Sequence, residues 1–148
     1  MLMRSRSPIA LVCSIPSDSH SWNLVYLQLL LQEKGFATQN LGPCTPLEEL
    51  ARWCALEPDV VVVSSVNGHA RTEAPQVAAA VRAALPGQDV QLVIGGMLGT
   101  SPDDSAVIEA ELTAAGFDGV YTGAEAVARF TATLCVQDTA AGGGARVA

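Results

Sequence analysis

The sequence predicts an α/β protein, a doubly wound five-stranded parallel sheet with helices on both faces. Two observations predict it. Short, nearly unbroken apolar runs alternate five times with longer helical stretches, and the connections between them are short. One run, Val60-Val61-Val62-Val63, is four successive valines, the composition of a strand covered on both faces.

The elements follow in order. After a polar lead-in over 1–7, Pro8–Ile15 reads as a buried strand and Pro16–His20 as a polar turn. Asn23–Lys34 contains no Pro or Gly, is apolar on more than one face, and stops at Gly35; it reads as a helix. Phe36–Leu41 is a short second strand. Thr45-Pro46-Leu47-Glu48 starts a second helix running to about Glu57, with Thr45 at the N-cap, Pro46 in the first turn and Glu48 three residues after the cap. The valine strand extends to Val66. Ala70–Leu85 is an alanine-rich helix ended by Pro86-Gly87. Val90–Ile94 is the fourth strand, terminated by Gly95-Gly96. Pro102–Ala115 is a helix closed by Gly116, with Asp103 and Asp104 favoured near its positive end. Asp118–Tyr121 is the fifth strand and Ala124–Val136 the last helix. One domain over 8–136 is expected, with 137–148 as a disordered tail. Five such units match a flavodoxin-like arrangement.

Composition removes several function classes. The chain has 148 residues, 49% of them hydrophobic, enough for a sizeable core in a single domain. Eight basic against 15 acidic residues give a net charge of −7, and aromatics are only 5%. Nucleic-acid binding is therefore not expected, since it needs clustered cations and stacking platforms. No apolar run reaches the ~20 residues of a membrane span. Arg4 and Arg6 before Ile9–Cys13 superficially suggest a signal peptide, but the run is too short and Pro16 and Asp18 follow at once. Cys13, Cys44, Cys54 and Cys135 show no C-x-x-C spacing and read as reduced, buried thiols of a cytoplasmic protein.

In a doubly wound sheet, ligands bind outside the carboxyl ends of the strands. Those ends carry Ser17-Asp18-Ser19-His20-Ser21-Trp22-Asn23, then Ser64-Ser65-Val66-Asn67-Gly68, then Gly95-Gly96-Met97-Leu98-Gly99, then Thr122-Gly123. They hold no lysine, and the third strand ends in Ser64 where a phospho-receiver needs Asp. Ser17, Ser19 and Ser21 could mimic a flavin phosphate loop, but Pro16 and Trp22 crowd it. No G-x-S-x-G elbow exists for a Ser hydrolase. Asp18-x-His20 is more informative. A carboxylate bonded to one imidazole nitrogen leaves the other as an oriented lone pair, the usual preparation of a metal-ligating histidine. One histidine does not make a zinc cage, so the pair suits a metal already held by a macrocycle, or else an ordinary loop histidine.

Taken together, these loops resemble the cobalamin-binding domain of B12-dependent mutases and methyltransferases. That family carries D-x-H-x-x-G after the first strand, S-x-L after the third and G-G after the fourth. This chain reads Asp18-Ser-His20-Ser-Trp-Asn23, Ser64-Ser-Val66 and Gly95-Gly96, so Asn23 stands for the glycine and Val66 for the leucine. Within the family, Gly35-Phe36, Val63-Ser64-Ser65 with Gly68, and Gly116-Phe117-Asp118 leading into Val120-Tyr121 most resemble the small stand-alone subunit of glutamate (methylaspartate) mutase, over about residues 8–135.

The resemblance implies a site. His20 would be the lower axial cobalt ligand, in place of the displaced nucleotide base, with Asp18 holding it. The nucleotide tail would enter a slot between the first and third strands and the first helix. Gly95, Gly96 and Gly123 would give backbone walls, and Ser64 a hydroxyl for the tail. Ser17, Ser19, Ser21, Asn23, Ser65, Val66, Met97, Leu98, Gly99, Tyr121 and Thr122 complete the implied cofactor set. Asn23 would keep the loop turn by tolerating positive φ, and the Ser17–Asn23 loop would order only on binding. Trp22 would cap the corrin edge or be a plain surface or core aromatic. His69 and Arg71 would touch corrin amides or a partner, or form a polar loop, and Met97 would pack against the macrocycle or the core. The implied function is the adenosylcobalamin-carrying subunit of a carbon-skeleton isomerase, inactive alone and with no catalytic residue of its own. A large TIM-barrel partner would hold the substrate. A corrinoid carrier or B12 sensor remains open, although only seven residues precede the first strand where carriers usually have a helical bundle. So does a domain that has lost the cofactor.

Overall fold

A computed structural model of the chain describes residues 7–123 and 125–134. The elements are β1 (Ile9–Ser14), α1 (Trp22–Glu33), β2 (Ala37–Asn40), α2 (Leu47–Trp53), β3 (Val60–Ser65), α3 (Ala70–Ala84), β4 (Gln91–Gly96), α4 (Ser105–Ala115), β5 (Gly119–Tyr121) and α5 (126–134). Short 3-10 turns at Cys54–Leu56 and Pro102–Asp104 follow α2 and precede α4. All pairings are parallel, in the order β2-β1-β3-β4-β5, so the predicted flavodoxin-like sheet is what forms. The tail over 137–148 and Cys135 lie outside the described residues.

The strands sort their side chains by parity. Leu11, Cys13, Val61, Val63, Leu92 and Ile94 join the core under α2, α3 and α4. Ala10, Val12, Val60, Val62 and Val93 join the core under α1 and α5, with Leu24, Leu31, Phe130 and Leu134. The valine run feeds both cores at once, the reason it reads as unbroken rather than alternating.

Register turns this into a site. One row across four strands is Val12, Val62, Val93 and Gly119. Two residues onward, on the same face, the row is Ser14, Ser64, Gly95 and Tyr121. Valine gives way to serine and glycine where the sheet passes beneath α1 and α5. The smaller side chains cannot fill the space to the helices, and a cleft opens.

Several sequence expectations need correction. Thr45 does not cap α2: the cap position is Pro46, with no side-chain cap bond. Thr45 is buried, donates to Gly42 O at 2.7 Å, and accepts from Ser14 N at 3.0 Å, so it ties the β2–α2 loop to the end of β1. Asn23 lies in the first turn of α1 and holds no positive-φ turn; among the described non-glycine residues only Cys44 and Glu57 have positive φ. Gly95 and Gly96 are the last residues of β4, paired with Ser64 and Ser65, not residues beyond its end. Cys13 and Cys54 are buried, but Cys44 is exposed in the β2–α2 loop. Burial, with Cys54 beside it, pushes the Cys13 thiol up to about 12, which keeps it protonated and unreactive.

Gly96 has its own structural reason. Its φ is +122°, and a Cβ there would sit 2.2 Å from Ser65 O. At Gly95 the nearest backbone atom to an added Cβ would be Tyr121 O at 3.2 Å, and φ is ordinary. Gly96→Ala is therefore expected to cost at least ~3 kcal/mol, strain and overpacking together, and Gly95→Ala clearly less. Urea unfolding of the two variants checks this; equal losses would contradict it.

Candidate functional site

The site begins at Asp18, a carboxylate whose side chain is only 1% exposed. One oxygen, Oδ1, accepts from His20 N at 3.0 Å and lies 2.7 Å from His20 Nδ1. The other, Oδ2, accepts from Val66 N at 2.6 Å and Asn67 N at 3.2 Å. One side chain thus joins the loop after β1 to the loop after β3. Burial would raise its pKa, but the backbone donors of Val66 and His20, with the His20 ring, hold it below the ordinary carboxylate value. It stays ionised, and an ionised Asp18 selects the His20 tautomer with the proton on Nδ1. The ring is 58% exposed, so Nε2 carries its lone pair on an accessible side chain.

The loop around this pair is bonded to the chain's own groups. Ser14 Oγ donates to Asp18 O at 3.2 Å, and Cys44 N donates to the same carbonyl at 2.8 Å. Ser17 N donates to Glu73 Oε1 on α3 at 2.9 Å, and Asn67 Nδ2 to Ser17 Oγ at 3.0 Å. Thr45, Asn67 and Glu73 were not legible as site residues, because each acts across 31 to 56 positions of sequence.

The cleft over the serine–glycine row is open to solvent and spans about 560 Å³, open solvent included. It is bounded by α1 (Asn23, Tyr26, Leu27), β3 and β4 (Val62 to Ser64, Val93 to Gly96), Val66, Tyr121 and α5 (Ala126, Val127, Phe130). It lies over β3 and β4, not between β1 and β3 as expected, since α1 seals β1 through Leu24 and Leu31 against Ala10 and Val12. Asn23 Nδ2 donates to Ser64 Oγ within it. Tyr121 packs on Phe130 at 5.5 Å between ring centroids and carries the Arg129 guanidinium over its face. Sequence reasoning missed Tyr26 and Phe130; for Tyr26 the signal available was a first helix apolar on more than one face.

The implied residues divide between this cleft and its surroundings. Asn23, Ser64, Val66, Gly95, Gly96 and Tyr121 line it. Met97, Leu98, Gly99, Thr122 and Gly123 line a second open depression beside α4, which shares Gly96 with the first. Ser19 and Ser21 are exposed beside His20. Ser65 faces the opposite core, and its buried hydroxyl has no hydrogen-bond partner among the described residues. Trp22 is 85% exposed and Met97 65%, so neither is a core residue. Arg71 is taken up by a two-pronged ion pair with Glu111 on α4, and His69 leads into α3 with its backbone N–H bonded to Asn67 Oδ1. Among the described residues no three His, Cys, Asp or Glu side chains gather into a metal cage. No described helix is long and apolar enough to cross a membrane.

Three comparisons with known proteins bear on this geometry. The sequence model of the B12 binding domain matches residues 8–131. The glutamate mutase sigma subunit of Halobacterium salinarum is 34% identical over 129 residues, 84% of this chain and 85% of that one. Among solved structures, a cobalamin-binding protein from Desulfitobacterium hafniense superposes with a TM-score of 0.65 at 17% identity, over 86% of this chain and 59% of that one. The monomethylamine corrinoid protein of Methanosarcina barkeri gives 0.61 at 16% identity, over 88% and 57%. These two likenesses are of fold, and this chain spans under two thirds of either protein.

Asp18 generates a prediction that needs no ligand. Its folded pKa is lowered, so the stability it contributes is complete above the unfolded value near ~4 and is lost as pH falls through the folded value. Asp18→Asn should flatten the acid side of the stability–pH profile, read by urea unfolding between about pH 3 and 6. Asp18→Ala, which strands the part-buried Val66 N–H and the Asn67 N–H, should cost about 1–3 kcal/mol at neutral pH. An unchanged acid slope in the Asn variant would remove Asp18 from this role.

Proposed function

Because the chain belongs to the B12-binding domain family, we propose that it is the cobalamin-carrying small subunit of an adenosylcobalamin-dependent carbon-skeleton mutase of the glutamate mutase type. One observation carries the reading: an exposed imidazole, fixed by a buried carboxylate, stands at the strand ends beside an apolar cleft with a serine–glycine floor.

The residues suit the group. A cobalt held in a macrocycle can take a further ligand from the protein, and His20 Nε2, oriented by the bond from the ring to Asp18, would be that donor. A displaced nucleotide needs an apolar, flat-walled space with a few polar groups, and the cleft offers Tyr121 and Phe130 with Ser64 and Asn23. His20 would bind cobalt, and Asp18 would keep its tautomer and basicity. Ser64 would give its hydroxyl to the tail, and Gly95 and Gly96 would leave room along β4. The bound cofactor would supply a weak cobalt–carbon bond, the source of radical chemistry. Exposed Trp22 and Met97 would form an apolar rim to be covered by a large partner subunit, which would hold the amino-acid substrate and exclude water. Such a chain binds and orients but does not turn over substrate alone.

The experiment is a visible-spectrum titration of the purified chain with hydroxocobalamin and adenosylcobalamin. The expected result is a base-off, histidine-ligated spectrum that disappears in His20→Ala. Asp18→Asn should weaken binding by about 10–100-fold, the usual effect of losing the partner of a metal-ligating histidine. Glutamate isomerisation should then appear only on adding the large subunit. An identical spectrum in His20→Ala would end the ligation, and a spectrum without activity in the assembled complex would move the chain to the corrinoid carriers or sensors.

A further inference from the structure

Asn23 is one of two positions where this chain departs from the motifs it resembles, and the structure gives its side chain a partner. Asn23 Nδ2 on α1 donates to Ser64 Oγ at the end of β3, 41 positions away in sequence. Both line the cleft, whose walls are otherwise largely carbon: Val62, Val93, Tyr121 and Phe130. Ser64 is buried, at 3% exposure. In such surroundings an unpartnered hydroxyl or amide is costly, so each group satisfies the other. The bond joins the helix that roofs the cleft to the strand that floors it.

We infer that Asn23 is a latch on the cleft, which a ligand's tail must displace from the Ser64 hydroxyl before it can enter. The inference rests on the reading of the cleft as the nucleotide site. A ligand entering as far as Ser64 must break the Asn23–Ser64 bond, and only a ring nitrogen or another acceptor placed against Ser64 Oγ restores what is lost. A corrinoid without the nucleotide never reaches the latch. Asn23 therefore opposes binding of the complete cofactor alone and lowers its association rate, while the His20 side of the site is unaffected.

The test compares wild type with Asn23→Ala, which keeps a good helix former in α1. Hydroxocobalamin and cobinamide, the same corrin without the nucleotide, are the two probes, followed by stopped-flow absorbance and equilibrium titration. Circular dichroism of each protein checks that α1 is retained, and Asn23→Gln supplies a second variant should the alanine form lose helix. The expected result is about three- to tenfold faster and tighter cobalamin binding in Asn23→Ala, the range for removing one competing hydrogen bond, with cobinamide unchanged. Unchanged or weaker cobalamin binding in the variant, with wild type still binding, overturns the latch and leaves the cofactor reading standing. An equal gain for both probes also overturns it, since that reports a general loosening of α1. If neither protein binds cobalamin, the latch falls together with the reading beneath it.

Discussion

The carboxylate of Asp18 is the constraint on which the rest of the site depends. It is buried, it is ionised, and each of its oxygens serves a different segment of chain. A buried charge is tolerable only when fully hydrogen-bonded, and here four donors converge on it. The bonds to Val66 and Asn67 fix where the β1 loop sits relative to β3. The contacts to His20 fix both its backbone and its ring. The residue that shapes the loop is thus the residue that sets the imidazole's tautomer, so any change that frees the loop also frees the ring.

The cleft beside that pair arises from register and side-chain size. In a parallel sheet, residues two apart on one strand face the same side, and pairing carries them into rows across the strands. The step from the row of Val12, Val62 and Val93 to the row of Ser14, Ser64 and Gly95 removes methyl groups from one level of the face under α1 and α5. Below that level Leu24 and Leu31 pack tightly onto valines; above it nothing replaces the lost volume. The same strand ends serve the other face differently: Ser65 turns toward α3 and α4, and Gly96 lets Ser65 O come close. Two adjacent serines with one reading in sequence therefore have unlike surroundings.

The fold was legible because its signals are local. The valine run, the glycine and proline stops and the five-fold alternation each depend on neighbours in sequence, and the element centres fall where the pattern puts them. Asp18 and His20 were legible for the same reason, being two residues apart. What escaped was what long-range pairing decides. The cleft lies over β3 and β4 because α1 closes off β1, which no periodicity shows. Thr45 has the spacing of a helix cap, yet its hydroxyl goes to Gly42 and to the β1 backbone, a tertiary demand that outweighs the local one. Asn23 read as a turn residue because a glycine was expected there, and α1 begins early enough to absorb it.

The apolar character of α1 on more than one side has the same origin. One side, through Leu24 and Leu31, seals β1; Tyr26 and Leu27 form a wall of the cleft; Trp22 and Leu29 reach the surface. A helix with a single core-facing stripe would need only the first of these. The further apolar positions are in surplus for a folded monomer, and they sit on the helix that directly follows His20. Folding alone does not call for that surplus, because exposed Trp22 contributes little to a core it does not touch. Its place in the chain sets it beside the strand-end site, so the sequence of α1 answers two demands at once, the sheet and the cleft, and leaves Trp22 and Leu29 on the surface next to them.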